Sequence, residues 1–555
     1  MRLVRVRCGA HADGAHGVLL ATQRNTAALL RNLALHPASG PALAAEGGDR
    51  AVVELLTGSR DSRVLSFAAG ALANLGRHEG CRAAVVAAGG VAPLVALCGA
   101  MLEDTQVLGY VCEALRNLAR HEASRPEIMA GGAAEPLVNV CRRAADNTVL
   151  GFAAGALANL AFHAPARSPL VEAGCVRPLV RLCGAATATA AVRSVACAAL
   201  RNLSKEEGAR QSIVAEGAVA PLLQLCTSGA SAAAAGGAAL DAGVLGNAAE
   251  AVANLALFEG CRAAVVEQGA VPALLQVLAA AVPDAVIAHA AGAIAILALH
   301  AGSRVAIADA GAVPALALLC AKSTDDLVLG NASAALRNLA REERLRPALV
   351  SQGALRPLVH LVNRAKENKV RGFSAAALAN LALDEEARAQ IVAEGGVRPL
   401  VLLLLRIEDL AVRKSAAAAV RNLSRDGAAR QQMSLEGVIA PVVALLARAD
   451  TDMMMLGYCA DTLRNLARDA ALRAEIVQAG ALPPLVRCVA LQAGKSQVPG
   501  IAAAALLNLA LLPTARAMVA KEGAIPPLCR VCVESKVAAV LVNASGALAN
   551  LSLDR

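Results

Sequence analysis

Residues 102–119 read LEDTQVLGYVCEALRNLA. Near the end of this stretch, Leu115, Asn117 and Leu118 set a pattern, L-x-N-L, that returns along the whole chain. Its asparagines are Asn32, Asn74, Asn117, Asn159, Asn202, Asn254, Asn338, Asn380, Asn422, Asn465, Asn508 and Asn550. Successive steps are 42 or 43 residues, apart from 52 between Asn202 and Asn254 and 84 between Asn254 and Asn338, where Ile296 holds the intermediate position. A fixed period of this size predicts stacked copies of one supersecondary unit, an architecture that works through a long surface rather than an enclosed pocket.

Working outward from that stretch, the unit divides into three helices. RHEGCRAAVVAAG gives a first helix that stops at Gly89, VAPLVALCGA a second, and residues 102–119 the third. A glycine follows each repeat position by 14 or 15 residues, at Gly47, Gly89, Gly131, Gly174, Gly217, Gly269, Gly311, Gly353, Gly395, Gly437, Gly480 and Gly523. A site that takes glycine in every copy is expected to need a positive φ or a close backbone approach, as at a sharp helix-to-helix turn. Prolines such as Pro93, Pro178, Pro272 and Pro399 follow it, where the first turn of a helix needs no amide donor. In the third helix, the positions two before and one after the asparagine are apolar in every copy. At about 100° per residue they form a core stripe, from which the asparagine points away. The stretch 227–243, TSGASAAAAGGAALDAG, accounts for the long 52-residue step and reads as a surface loop.

Three helices in about 42 residues, the AG-x-x-P-L-V-x-L turn and the A-L-R-N-L-A third helix together resemble the armadillo repeat. The resemblance covers nearly the whole sequence. It implies an all-α, right-handed superhelical solenoid of about twelve full three-helix repeats plus a partial one at the N-terminus. The expected divisions are an incomplete repeat at 1–35, a first half at 36–256, a central repeat at 257–298 that lacks the asparagine, and a second half at 299–555. The opening LVRVRCGA looks like the end of a second helix, and no polar cap is visible at either end, so the sequence is expected to be a fragment.

Composition agrees with a helical array packed through small aliphatic side chains: 57% of residues are apolar, with no Trp, two Tyr and five Phe. Six of the fifteen cysteines, Cys98, Cys141, Cys183, Cys226, Cys320 and Cys532, share one register that elsewhere holds aliphatic residues such as Leu404. They are expected to be reduced core groups of a cytoplasmic protein, with the nucleus as a second compartment. Cys529-x-x-Cys532 is a weak metal signal, and no metal or cofactor is expected. The opening eight residues hold no secretory apolar run, and Arg2 stands where a lipidation signal would need glycine. Residues 285–302 carry no charge, but in register they are a third helix rather than a membrane span.

Candidate binding residues follow the register. In the armadillo family the third-helix asparagine bonds a partner's backbone, which implies that role for Asn74, Asn117, Asn159, Asn202, Asn254, Asn338, Asn380, Asn422 and Asn465. The alternative is that these amides tie neighbouring third helices together. An asparagine inside a helix costs about 0.5 kcal/mol relative to alanine, so either role must offset a sum of several kcal/mol. Five repeats carry basic residues one before and three after the asparagine: Arg116 with Arg120, Arg201 with Lys205, Arg337 with Arg341, Arg421 with Arg425, and Arg464 with Arg468. Their four-residue spacing puts each pair on one helix face, giving two basic tracks for an acidic partner unless nearby carboxylates neutralise them. Five of the seven aromatics, Phe67, Tyr110, Phe152, Phe373 and Tyr458, lie seven before the asparagine. Tyr110, Phe152 and Tyr458 are candidate platforms for partner side chains, or packing groups against the adjacent third helix. His36, His78, His121, His163 and His300 share a site too far from its neighbours to chelate one zinc, and read as loop residues.

No nucleophile triad, P-loop or metal motif stands out, so no enzymatic activity is expected. The importin-α-like W-x-x-x-N array is missing because there is no Trp. The expected function is a scaffold or adaptor that binds extended, acidic protein segments along a concave groove. The rival readings are a nucleic-acid-binding solenoid, weakened by a net charge of only +9, and an importin-α-like transport receptor.

Overall fold

The computed structural model describes residues 13–234, 240–448, 452–491 and 497–553. Its chain divides into two compact units, Met1–Ala293 and Ile294–Arg555. The described residues are helical, and both units are built from one repeat. The expected partial helix at residues 3–10 lies outside the described residues.

In the first unit, one repeat runs through the helices Glu79–Ala87, Val91–Ala100 and Thr105–Leu118. The first helix ends because Gly89 turns left-handed, with φ 79°. Its N–H donates to the Val86 carbonyl at 2.9 Å, and that of Gly90 to Val85 at 3.1 Å, which satisfies the last turn. The third helix begins where the Asp104 carboxylate accepts from the Val107 N–H at 3.0 Å. Asp146, Asp325, Asp409 and Asp452 cap other third helices in the same way. A repeat of the second unit follows the same plan with Leu355–Arg364 and Asn368–Leu381 after Gly353, φ 81°.

Eleven of the twelve glycines read from the sequence are left-handed; the exception is Gly131, whose φ is −70° while Gly132 has φ 77°. The turn therefore sits a constant fifteen residues after each repeat position, and of the pair Gly131-Gly132 that spacing selects the second. The stretch 227–243 is not a plain loop. The second helix continues into it as Val219–Ala234, and the third begins at Leu240. Its alanines favour helix, and Gly229 allows the extension to lie against Leu245, whose Cβ would be 3.3 Å from an added methyl.

The core is Leu, Val, Ala and Cys. Leu115 and Leu118 are fully buried, as the stripe requires, and Cys98, Cys141, Cys183, Cys226 and Cys320 lie in the core with them. Cys532, in the same register, is only half-buried. No single helix among the described residues is long and apolar enough to cross a membrane. The apolar stretch near 285–302 breaks into the helix Asp284–Leu297 and a short turn at Ala301–Ser303. The shared-site histidines do lie in turns; His121 and His300 hydrogen-bond Ser124 and Ser303, each at 2.8 Å.

Candidate interaction face

The asparagines do not point into solvent alone. Each amide reaches back to the preceding third helix. Nδ2 donates to a backbone carbonyl one position before that helix's repeat residue: Asn74 to Arg31 at 3.0 Å, Asn117 to Ala73 at 2.9 Å, Asn159 to Arg116 at 3.0 Å, and Asn202 to Ala158 at 2.9 Å. Asn254 reaches the Arg201 carbonyl at 3.3 Å. In the second unit Asn338, Asn380 and Asn422 reach Ala295, Arg337 and Ala379 at 2.7, 3.0 and 2.6 Å, and Asn465 takes the Ser424 hydroxyl at 3.0 Å. One amide hydrogen of each asparagine is thus used to tie neighbouring repeats, the alternative left open by the sequence.

The ladder then separates into two kinds. Asn117, Asn202, Asn338, Asn422 and Asn465 are buried, none more than 3% exposed. Each follows an arginine whose guanidinium folds over it and donates to its Oδ1: Arg116 at 3.2 Å, Arg201 and Arg337 at 3.0 Å, Arg421 at 2.6 Å and Arg464 at 3.2 Å. Asn74, Asn159, Asn254 and Asn380 follow alanine and stay half-exposed. Their Oδ1 has no partner among the described residues, which leaves an acceptor and a second amide hydrogen open.

The covering arginines also explain the aromatics. Arg31 lies over Phe67, Arg116 over Phe152, Arg337 over Phe373 and Arg421 over Tyr458, with 4.7–4.9 Å from guanidinium carbon to ring centroid. Phe152 and Tyr458 therefore pack against an adjacent third helix through its arginine, while half-buried Tyr110 follows an alanine repeat and carries no such cation among the described residues. Position four before the asparagine completes the bed. Gly155 leaves room for the Arg116 stem, 2.9 Å from where a Cβ would stand. Asp461 pairs with Arg464 at 2.7 Å and Arg421 at 3.9 Å, and Glu250 with Arg201 at 3.6 Å. Burial pushes the Arg116, Arg337 and Arg421 guanidiniums down from their ordinary values, against the pull of Glu113 on Arg116 and of Asp461 on Arg421.

Of the two basic tracks read from the sequence, only one is therefore exposed. Arg120, Lys205, Arg341, Arg425 and Arg468, three after the asparagine, face solvent. Lys205 approaches Glu250 at 3.5 Å; the other four have no carboxylate within ion-pairing distance among the described residues. The acids beside them turn away: Asp426 and Asp469 accept from the Ala429 and Ala471 N–H groups at 2.8 and 3.1 Å. Glu113 is drawn instead to Arg77, at 2.5 Å.

A second arginine ladder, not singled out in the sequence, fixes this track. Arg82, Arg125, Arg167, Arg210, Arg262, Arg304, Arg346, Arg388, Arg430, Arg473 and Arg516 stand eight after successive repeat positions. Arg125 donates to the Ala119 carbonyl at 3.0 Å and the Arg120 carbonyl at 3.4 Å. Arg388 holds Ala382 and Leu383 at 3.2 Å, and Arg430 holds Arg425 at 3.0 Å. Each clamps the open C-terminal carbonyls of the preceding third helix. The strict spacing was the available signal.

Among the described residues no group of three or more His, Cys, Asp or Glu is placed to hold a metal ion. The Armadillo/beta-catenin-like repeat model matches residues 163–205, 300–341, 384–425 and 514–553. No curated protein matches the sequence. A crystal structure of an engineered protein is 31% identical, covering 76% of this chain and 98% of that one, with a TM-score of 0.67. A chain from a structural study of a phosphorylation switch controlling the interaction between cadherin and beta-catenin covers 100% of this chain and 98% of its own, at 17% identity and a TM-score of 0.70. That last likeness concerns the fold. With the repeat model and the engineered relative added to the left-handed glycine turn and the third-helix asparagine, the chain belongs to the armadillo-repeat family.

Proposed function

We propose that this protein is a scaffold whose third-helix face binds extended segments of other proteins, with acidic segments preferred. The observation that carries the reading is the exposed line three after each asparagine, where Arg120, Lys205, Arg341, Arg425 and Arg468 present cations on backbone held by the arginine clamps. Beside it, Asn74, Asn159, Asn254 and Asn380 keep the free acceptor and donor that an extended backbone needs. The cadherin–beta-catenin interaction of the structural neighbour is consistent with such use. The many buried thiols favour a reducing compartment, the cytoplasm first and the nucleus second.

The test is site-specific photocrosslinking in cells. A photoreactive residue replaces Arg341 or Arg425 on the exposed track, or Arg356 on a second helix. Partners captured from the track and not from Arg356 support the reading. Capture only from Arg356 refutes it.

A further inference from the structure

The exposed track is not uniformly basic. At the same position, three after the repeat residue, four of the repeats that lack a covering arginine place Phe162, Leu257, Leu299 and Leu383, all exposed large apolar side chains, while the Asn74 repeat, also without that cover, has Arg77. Each compact unit contains one stretch in which such a residue is flanked by cations on both sides. In the first unit the order is Arg120, Phe162, Lys205; in the second it is Arg341, Leu383, Arg425. The surroundings repeat as well. The outer asparagines are covered, Asn117 and Asn202 in one, Asn338 and Asn422 in the other. The central ones, Asn159 and Asn380, are open and bonded at 3.0 Å to the carbonyls of Arg116 and Arg337. Those two arginines lie over Phe152 and Phe373. A carboxylate follows each stretch, Glu250 at 3.6 Å from Arg201 and 3.5 Å from Lys205, and Asp461 at 3.9 Å from Arg421.

We infer that each unit carries one copy of the same recognition module, an apolar anchor and an open amide set between two cations, and that its ligand is an extended peptide with an acidic, apolar, acidic order of side chains. Phe162 is 50% exposed and Leu383 37%, so each offers area to a partner side chain. Around the Phe162 ring stand Arg125 and Arg201 at 5.7 Å and Lys205 at 5.9 Å, an electropositive rim for carboxylates beside an apolar contact. The free Oδ1 and amide hydrogen of Asn159 and Asn380 lie in the same repeats as the anchors, where they take the backbone of the bound segment. Packed helices are about 8–10 Å apart, and an extended chain rises about 3.3 Å per residue. One repeat step is therefore about three residues, which puts the two acids about six apart with the apolar residue midway.

This inference rests on the third-helix face being the binding surface, and its test is separable from that reading. The probe is a fluorescein-labelled peptide of glutamate, glycine-serine, leucine, glycine-serine, glutamate, titrated into the full chain by anisotropy. The expected result is two sites of similar affinity per chain. Phe162→Ala should weaken one of them about tenfold, as loss of a buried apolar contact does, and Phe162→Ala with Leu383→Ala should weaken both. Phe162→Leu should restore the first. The altered side chains are exposed, and unchanged circular dichroism shows that the fold is kept. If a peptide with glycine in place of leucine binds equally well, if the alanine variants bind like the parent, or if the leucine peptide does not bind, the module is refuted. Capture of partners along the exposed track would still support the binding face in each of those cases.

Discussion

Replacing Asn117 or Asn159 with alanine separates the two kinds of ladder asparagine. Asn117 is fully buried, donates to the Ala73 carbonyl at 2.9 Å and accepts from Arg116 at 3.2 Å. Asn117→Ala removes a neutral hydrogen bond worth about 1 kcal/mol and one to a guanidinium worth about 1.5–3 kcal/mol. Alanine returns about 0.5 kcal/mol through helix propensity, and Arg116 keeps its place over Phe152. The net loss is about 2–3.5 kcal/mol. Asn159→Ala removes only the bond to the Arg116 carbonyl at 3.0 Å, so after the same return its net loss is about 0.5 kcal/mol.

A stack of repeats opens locally, so the sensitive assay is native-state hydrogen exchange in Ser62–Arg77 and Thr105–Leu118, the helices that Asn117 joins. Exchange there should speed up about tenfold or more in Asn117→Ala, since about 1.4 kcal/mol is a factor of ten. In Asn159→Ala, the helices Thr105–Leu118 and Asn147–Leu160 should change only about two- to threefold, while binding of extended partners weakens. Equal destabilisation by the two variants, or unaltered exchange in Asn117→Ala, would refute the division into covered and open asparagines.

Arg304→Gln breaks bonds to the Ala298 and Leu299 carbonyls at 3.0 and 3.3 Å, and should cost about 1.5–3 kcal/mol, read as a lower urea midpoint; an unchanged midpoint would deny the clamp its role. Burial pushes Cys141, Cys175, Cys226, Cys320 and Cys459 up to about 12, whereas Cys529 is exposed. Among the described thiols Cys529 should therefore alkylate first in the native protein. Because the folded values are raised, the contribution of each buried thiol is full below its unfolded value near 8.5 and is lost as pH rises towards 12, by up to about 1.4 kcal/mol per pH unit. Denaturant titrations near pH 8 and pH 10 measure that loss, and equal midpoints would contradict it. Charge reversal by Arg341→Glu with Arg425→Glu should weaken an acidic partner, more so at low salt, without lowering stability. Arg337→Glu should instead destabilise the fold, because it strips the cover from Asn338 and the stacking from Phe373.

The repeat, the glycine turn and the core stripe were legible because each is a property of one copy. Leu115 and Leu118 need only the helical period to be placed, whereas at Gly131-Gly132 either residue answers the pattern and the folded turn selects Gly132. What could not be read from a single helix is what the next repeat lays over it. A helical wheel turns Asn117 away from its own core stripe, yet the preceding third helix and Arg116 bury it. The signal for that cover runs between repeats. Phe67, Phe152 and Phe373 follow Arg31, Arg116 and Arg337 by 36 residues, and Tyr458 follows Arg421 by 37. The arginine clamp was visible as a strict ladder, but charged residues at one helical register are read first as solvated, and its carbonyl partners appear only when the turn is folded.

The two arginine ladders change what the charge composition means. Eleven arginines clamp third-helix ends, and those before the covered asparagines lie on rings and amides, so the basic count is largely taken up by the fold. The exposed remainder is sorted. Where an arginine covers the asparagine at 117, 202, 338, 422 or 465, the exposed residue four further on is basic; where alanine precedes an open asparagine at 159, 254 or 380, it is Phe or Leu. Asn74 departs from this with Arg77, and there the charge is met by Glu113 at 2.5 Å. On the proposed binding face, a bound chain would therefore meet cations where the backbone groups of the ladder are closed, and apolar side chains where they are open. Coulombic attraction acts at the closed repeats and is screened by salt, while apolar contact and backbone hydrogen bonding coincide at the open ones. Selectivity then depends on the order of a partner's side chains at repeat spacing, which a modest net charge of +9 neither supplies nor prevents.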